Sequence, residues 1–512
     1  MSNLSNQRLP DQRAPHVAMV VDHPERDLAG LVLTALDLAQ RGVVCHLVPL
    51  NLQEREIWAL APDFVLFNYL RRSNEQFARE LAAAGIAFGV LDTEGAIWPD
   101  PDEYASLLWR DVPLLHKARC VCMWGARLGE FLIEKELFTG DQVIVTGCPR
   151  FDLYISPWRT LTQDVVDHGR TKRILINTNF SVSNPQFTTA DKCVAMHRSV
   201  LGYSETELRR IVHAETVAIR ETVRIAEQLA DTFPSAEIVI RPHPFENPSP
   251  YDAAAAGRRN LVVRQSESIQ AAIFSASAVI QRSCTTAIEA GMAGVPAFSP
   301  QWMPAPFLMP DAEAASVPCE SLSELTSYLT DVLNGNYRPT EGTRQKVAGV
   351  IRDCCFAADG LSHWRVSEAV SRALHPLPRV NRDACRRHLY GLGRRLASAG
   401  PDRGGEHTRD RTLTRVARYA RHGLRLSPDW SFTRMRDVPA IEWLNSRKHF
   451  DVDRVHHLVD RARRLAPFPF ADAEDVIVSR DDRPNSGGRE HARYGVTLAD
   501  ARLFDVEQRH AS

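Results

Sequence analysis

The 512-residue chain has no apolar run near the roughly 18 residues that a membrane-crossing helix needs. Its first residues, MSNLSNQRLPDQRAP, are polar and contain no apolar core for a signal peptide. It has almost no net charge, −1 with the histidines neutral, so the whole-chain balance points to no class of partner. Its ten cysteines form no CxxC pair, the spacing on which structural zinc sites are built. Cys120 and Cys122 fall within an apolar run, which suits buried free thiols in a reducing compartment. There is no short-period repeat. These absences predict a cytoplasmic globular protein, and a composition of 44% hydrophobic and 24% charged residues is ordinary for that class. The length leaves room for two α/β domains and an appendage.

What is present is an alternation of strands and helices. Residues 1–15 read as a disordered tail. HVAMVVD (His16 to Asp22) then reads as a buried strand, HPERD as a loop, and LAGLVLTALDLAQRG as a helix that Gly42 ends. VVCHLVP, DFVLFNY, AFGVLD, CVCMWG and QVIVTG continue the series, with a helix near 74–84. Short, continuously apolar strands between helices of about ten to fifteen residues predict a parallel doubly wound sheet. Prolines and polar residues in CPRFDLYISPWRTLTQDVVDHGRTK break the rhythm, and 156–172 reads as an interdomain linker. A second unit opens at RILINTNF, carries the polar insertion SVSNPQFTTADKCVAMHRSVLGYS, and has a long helix from about Glu205 to Asp231. The expected fold class is α/β, with Rossmann-like domains over 16–155 and 173–375 facing a cleft. A basic, partly helical extension over 376–512 follows.

Two polar clusters end buried runs in the second unit. Arg241-Pro242-His243-Pro244 follows EIVI, and Ser283-Cys284-Thr285-Thr286 follows SAVIQ, with Glu289 a turn into the next helix. Open α/β sheets bind ligands at the carboxyl ends of their strands. An arginine offers a permanent forked charge and a histidine a hydrogen-bond donor, a pair suited to phosphate. The hydroxyls and the helix N-terminus add anion-binding capacity, and Glu289 shares their face, placed to accept bonds from a ribose diol. The plainer alternatives are a histidine that caps backbone and an ordinary capping box.

RPHP followed by SCTTAIEAGMAGVPAF, together with VVDHPERDLAGLVLTALDLAQRG, LDTEG and VTGCPRFD, resembles bacterial surface-carbohydrate biosynthesis proteins over about 16–375. These are similar to capsule 3-deoxy-manno-octulosonate (Kdo) transferases and to glycerophosphotransferases that use CDP-glycerol, with the GT-B fold. The resemblance implies transfer of a sugar or polyol phosphate from a CMP-, CDP- or UDP-linked donor, itself the substrate, with no further cofactor. The donor would lie on the C-terminal domain and a carbohydrate or lipid-linked acceptor against the N-terminal one. It also implies donor-phosphate contacts from His243, Ser283, Thr285 and Thr286. Cys284 departs from the family's small hydroxyl residue and receives no role. Two other readings use the same fold: a sugar-nucleotide 2-epimerase, and a nucleotide-sugar-binding subunit without catalysis.

A catalytic base is sought on the facing domain. Glu94, directly after AFGVLD, is the leading candidate; Gly95 would allow close backbone approach to a ligand. Asp22, Glu25 and Asp27 are the competing carboxylates, unless Asp27 caps the first helix and Asp92 or Glu94 pairs with an arginine. The catalytic assignments are therefore Glu94, Asp22 and His243. Asp100 and Asp102 form a DxD pattern in an acidic, proline-rich loop, where no metal site is expected. From about 375 to 425 roughly a dozen arginines face about four acids. A solvated basic surface, peripheral contact with an anionic membrane face and nucleic-acid binding are the readings in that order; the last lacks any binding module.

Overall fold

The computed structural model describes residues 13–95, 98–162, 172–186, 188–201, 203–398, 450, 452–466, 477–480 and 496–499. In the first domain, β1 (His16–Val21), β2 (Val44–Pro49), β3 (Phe64–Phe67), β4 (Ala87–Leu91), β5 (Val121–Met123) and β6 (Val143–Val145) form a parallel sheet ordered β2-β1-β3-β4-β5-β6. In the second, β7 (Arg173–Asn177), β8 (Glu237–Arg241), β9 (Leu261–Val263), β10 (Ala278–Ile280), β11 (Ala297–Pro300) and β12 (Val317–Cys319) run β9-β8-β7-β10-β11-β12, also parallel. The second order is that of the dinucleotide-binding Rossmann sheet. Together the domains make the expected GT-B arrangement. Each sheet reverses its winding once, between β1 and β3 and between β7 and β10. A reversal parts the connecting helices to opposite faces and leaves a crevice above the strand ends.

The strands are continuously apolar because helices cover both faces of each sheet. Val17 through Val21 and Phe64 through Phe67 are all buried. Helix Ala29–Gln40 lies on one face of the first sheet, and Gly30 lets it cross the chain closely. A Cβ on Gly30 would come within 2.7 Å of the Pro149 carbonyl carbon, so any larger residue there would push the junction segment away.

Helix Ser362–Ala373 comes from beyond the second domain and packs back on the first, where Val366, Ala369 and Val370 join the core around helix Ala29–Gln40. Asp152 fixes this return. Its carboxylate is buried and accepts bonds from the Ser362 and His363 amides at 3.0 and 2.8 Å and from His363 Nδ1 at 2.8 Å. A carboxylate at a helix N-terminus satisfies free amides and meets the positive end of the dipole. Asp152→Ala should lower unfolding stability by about 2–4 kcal/mol, since it strands three buried donors. A urea denaturation curve that matches wild type would contradict that role.

Three expectations need correction. HPERD is not a loop: Pro24–Leu28 is a π-helical turn running straight into the first helix. Pro24 supplies a preset φ at the first position, His23 Nδ1 accepts from the Glu25 amide at 3.3 Å, and Asp27 accepts from the His23 amide at 3.0 Å. The described start of 156–172 is no free tether either. A short turn, Trp158–Thr160, buries Trp158, and Leu161 is buried beside it in the first domain's core.

The extension is also more than an appendage. Helix Arg382–Ser398 places Cys385 in the first domain's core and stacks His388 on Trp58 at 4.3 Å. Helix Val452–Leu465 adds Val455, Leu458, Val459 and Ala462 to the other face. An antiparallel hairpin, β13 (Ile477–Arg480) and β14 (Val496–Ala499), pairs onto β2 and covers what would otherwise be an open sheet edge. Residues 1–12, most of the expected disordered tail, 399–449, with much of the arginine-rich stretch, and 481–495 lie outside the described residues. Among the described residues no helix is long and apolar enough to cross a membrane.

Candidate active site

The site is assembled from strand ends. On the second domain, Arg241 is the last residue of β8, and its Nε donates to the Glu267 carbonyl at 3.1 Å, which leaves the terminal nitrogens of the fork for another partner. His243 follows in a turn held from behind. The Glu246 amide and Gln265 Nε2 both donate to the His243 carbonyl, at 2.8 Å each. Glu246 is fully buried and ties the turn to Thr178 Oγ1 at 2.7 Å and to the Tyr251 hydroxyl.

His243 Nδ1 accepts from the Phe245 amide at 3.3 Å. Burial, with Arg241, Arg26 and His23 nearby, pushes the imidazole down to about 4. The ring is therefore neutral at physiological pH, and with Nδ1 engaged as an acceptor its proton resides on Nε2. His243 can present a hydrogen-bond donor and cannot supply a full charge; Arg241 supplies that.

The hydroxyl cluster divides. Ser283 adopts a left-handed φ of 53°, rare for a residue with a Cβ. Its amide and hydroxyl both donate to Glu313, at 2.8 and 2.9 Å. Thr286 is buried, and its Oγ1 accepts from Asn177 Nδ2 at 2.7 Å. The Ser283 hydroxyl is thus given to Glu313, while Thr286 Oγ1 accepts from Asn177 and lies 3.0 Å from Cys284 Sγ, so both side chains hold the turn together. Thr285 precedes helix Thr286–Ala293 with no side-chain capping bond.

Glu289, expected to accept bonds from a ribose diol, does not face solvent. It is only 4% exposed and lies where the domains meet. Burial raises its carboxyl above the usual range, while Arg150, Arg241, the Tyr154 hydroxyl and Arg26 pull it back. Arg150 is equally buried, stacks on Trp124 and Phe151 at 4.5 and 4.7 Å, and leaves its Nε without a partner. Arginines from three separate segments thus surround one carboxylate and one neutral histidine.

On the first domain, Glu94 sits beyond β4. Its carboxylate is open to solvent yet walled in by the cleft, and that crowding raises its proton affinity above the ordinary carboxylate range, with Asp92 and Asp22 adding to the effect and Arg26 and Arg71 opposing it. Gly95 makes room for Trp124, whose ring would lie 3.1 Å from an added Cβ. Trp124 Nε1 in turn donates to the Asp92 carbonyl at 2.7 Å.

The competing carboxylates are all engaged. Asp92 takes Arg71 at 2.7 Å and the Tyr104 hydroxyl at 3.0 Å; Asp22 takes Arg26 at 2.6 Å. Glu25 meets Arg454 of the extension at 2.6 Å, and Asp27 holds the first helical turn. Asp100 caps helix Pro101–Leu107 through the Asp102 amide, and Asp102 pairs with Lys135 at 2.9 Å. Among the described residues no cluster of three metal-ligating side chains occurs.

Arg26, Arg71, Arg150 and Tyr154 were not singled out from the sequence. Arg150 carried a signal, as a charge within the otherwise apolar CPRF; Arg26 and Arg71 look like any arginine after a strand.

No protein-family model matches the sequence, and no curated protein does. Solved structures similar in arrangement include a Listeria monocytogenes protein described as a putative UDP-N-acetylglucosamine 2-epimerase, with 15% identity over 71% of this chain and 97% of that one and a TM-score of 0.47. The Neisseria meningitidis 2-epimerase bound to UDP-GlcNAc has 13% identity, covers 70% and 100%, and scores 0.42. The wall teichoic acid polymerase TagF has 11% identity, covers 61% and 72%, and scores 0.37. At this distance the functional reading rests on the residues above.

Proposed function

We propose that this chain is an enzyme acting on a nucleotide-activated sugar or polyol, held by its phosphate in the interdomain cleft. The observation that carries this reading is the convergence of Arg241, neutral His243, Arg26 and Arg150 on one point between facing strand ends. Fixed donors and charges aimed at a departing phosphate lower the barrier to its release, and they do so most strongly where water is excluded.

In the transfer reading, Glu94 removes the proton from an acceptor hydroxyl as its oxygen bonds to the donor carbon of a sugar nucleotide, or to the distal phosphorus of a nucleotide-activated polyol. With the sugar the carbon–oxygen bond to phosphate breaks, with the polyol the phosphorus–oxygen bond to the nucleoside monophosphate, and in each case the electron pair leaves with the departing phosphate, where Arg241 and His243 stabilise it. The second reading is 2-epimerisation, favoured by a further carboxylate, Asp22, within electrostatic reach of Glu94; removal and return of a proton at a ring carbon calls for such paired acid–base groups. Neither reading uses a cofactor beyond the substrate. An acceptor carried on lipid would bring the basic extension against an anionic bilayer, and a cytoplasmic location follows from the same picture.

Incubating the protein with UDP-N-acetylglucosamine alone separates the two reactions. A second sugar nucleotide appearing by NMR without acceptor establishes epimerisation. Turnover of a nucleotide donor only when a hydroxyl acceptor is added establishes transfer. Nucleotide binding without turnover across donors and acceptors would leave a non-catalytic binding subunit.

A further inference from the structure

A cavity of about 710 Å³ opens at the amino ends of β4, β5 and β6, the opposite end of the first sheet from the cleft. Ala87, Phe88, Ala118 and Ile144 contribute its apolar lining. The segment before β5 brings His116, Lys117 and Arg119; the end of helix Ser362–Ala373 and the chain beyond it bring Arg372 and His375. That chain is held close. The Asn381 amide donates to the Ala84 carbonyl at 2.8 Å, and a Cβ on Gly85, at a φ of 78°, would lie 2.5 Å from the Arg379 carbonyl oxygen. Glu94 lies past the far end of β4, whose five residues span about 17 Å. A small ligand in this cavity therefore touches none of the cleft residues.

The charged side chains of the lining are Lys117, Arg119 and Arg372, with Asp141 the one carboxylate against them. Arg119 is half-buried, and its amide donates to the Phe88 carbonyl at 2.8 Å, which fixes its backbone to β4. Among the described residues neither Lys117 nor Arg119 has a side-chain hydrogen bond or ion pair. A charge drawn partly out of water ordinarily meets a counter-charge, and here the protein supplies none. Arg372 reaches Glu368 at 3.5 Å, but Arg41 takes the same carboxylate, so two arginines share one acid. His116 Nε2 donates to the Glu136 carbonyl at 3.2 Å, which leaves Nδ1 for another partner. The closing carbonyls of helix Ser362–Ala373 would oppose an anion. Those of Val370 and Arg372 are already taken by the Leu374 and His375 amides, at 3.1 and 3.3 Å.

This lining selects an occupant by charge. An arginine fork and a lysine point charge both suit phosphate. Cations brought by two separate segments call for an anion long enough to meet both. The volume is in the ordinary range for a small-ligand site and exceeds what one phosphate fills. Phe88 is only 1% exposed, so it offers no ring face on which a nucleobase could stack.

We propose that this cavity binds a soluble small molecule carrying a chain of two or three phosphates, at a site separate from the cleft. Calorimetric titration of the full chain with inorganic tripolyphosphate tests it, in an Arg241→Ala background that removes the leading charge of the cleft. That variant should bind tripolyphosphate. Adding Lys117→Ser and Arg119→Ser should weaken the binding about tenfold or more, since each removes a charge-assisted contact. Adding Arg352→Ser instead, an arginine with a side chain 73% exposed and outside the cavity, should leave it unchanged. No binding at millimolar tripolyphosphate, binding unchanged by the Lys117 and Arg119 substitutions, or an equal loss with Arg352→Ser overturns the proposal. Co-sedimentation with phosphatidylglycerol vesicles separates the other source of phosphate. Capture that the Lys117 and Arg119 substitutions abolish, without tripolyphosphate binding, would make these cations a headgroup contact and overturn the soluble ligand. The donor reading stands apart from every one of these outcomes, because it depends on Arg241.

Discussion

Arg241→Ala should weaken nucleotide binding about tenfold to a hundredfold in a calorimetric titration. Hydrogen bonds to charged groups contribute about 1.5–3 kcal/mol, and each 1.4 kcal/mol is about a factor of ten in Kd. Arg241→Lys should recover part of the loss, because it restores the charge without the two-pronged fork. His243→Ala should cost less, since the ring is neutral and offers one Nε2–H donor. His243 should also add no inflection near pH 6.5, where an ordinary histidine titrates, so the pH dependence of the affinity should be the same in wild type and His243→Ala. With the imidazole pushed down to about 4, it gains no charge between pH 5 and 8. Unchanged affinity in both alanine variants would contradict the assignment. A step in affinity centred near pH 6.5 that vanishes in His243→Ala would mean the ring binds as a cation.

The second large effect concerns Glu94. Glu94→Gln should reduce turnover by about 10²–10⁴ while leaving nucleotide affinity close to wild type, because general-base catalysis contributes on that scale. The pH dependence carries a sign. A base works ionised, and the crowding of the cleft walls, with Asp92 and Asp22 nearby, raises the proton affinity of this carboxyl. Activity should therefore climb as pH rises through a value above the ordinary carboxylate range and level off beyond it. Glu94→Gln should flatten that acid limb. A variant that keeps wild-type turnover, or loses nucleotide binding along with it, would assign the base elsewhere or give Glu94 a structural part.

Much of this architecture was legible in the sequence for a physical reason. Strands buried on both faces are continuously apolar, and runs such as HVAMVV, FVLF and EIVI stand out between amphipathic helices. The pattern gives the strands and not their lateral order, so the reversal between β7 and β10 had to be seen in three dimensions. The hairpin at β2 was hidden because IVSR and VTLA are four-residue strands far apart in the chain.

The site followed the same rule. Arg241 and His243 announced themselves as a polar pair closing an apolar run. Ser283 did not, because nothing in RSCTT shows that its backbone turns left-handed and hands both its amide and hydroxyl to Glu313. Nor does TAIEAG show that Glu289 faces the domain junction, a position set by the packing of the whole second domain. The two histidine–proline pairs offer a lesson in reading such motifs. His23-Pro24 after β1 and His243-Pro244 after β8 each place a histidine whose Nδ1 accepts from the amide two residues on. The two rings lie within electrostatic reach across the cleft. One half of that pairing was read as a ligand motif and the other as a loop, although both sit at a strand end that opens onto the cleft.

The central claim is that the interdomain cleft holds a nucleotide by its phosphate. Thermal unfolding of the full chain in the presence of CMP, CDP, UDP and GDP tests it most directly. A ligand at about a hundred times its Kd stabilises the folded state by about 2.7 kcal/mol. The account predicts that at least one of the four raises the midpoint by several degrees in the wild-type protein, and that Arg241→Ala cuts the shift to about half or less. No shift with any of the four at millimolar concentration, or one that persists undiminished in Arg241→Ala, would contradict it.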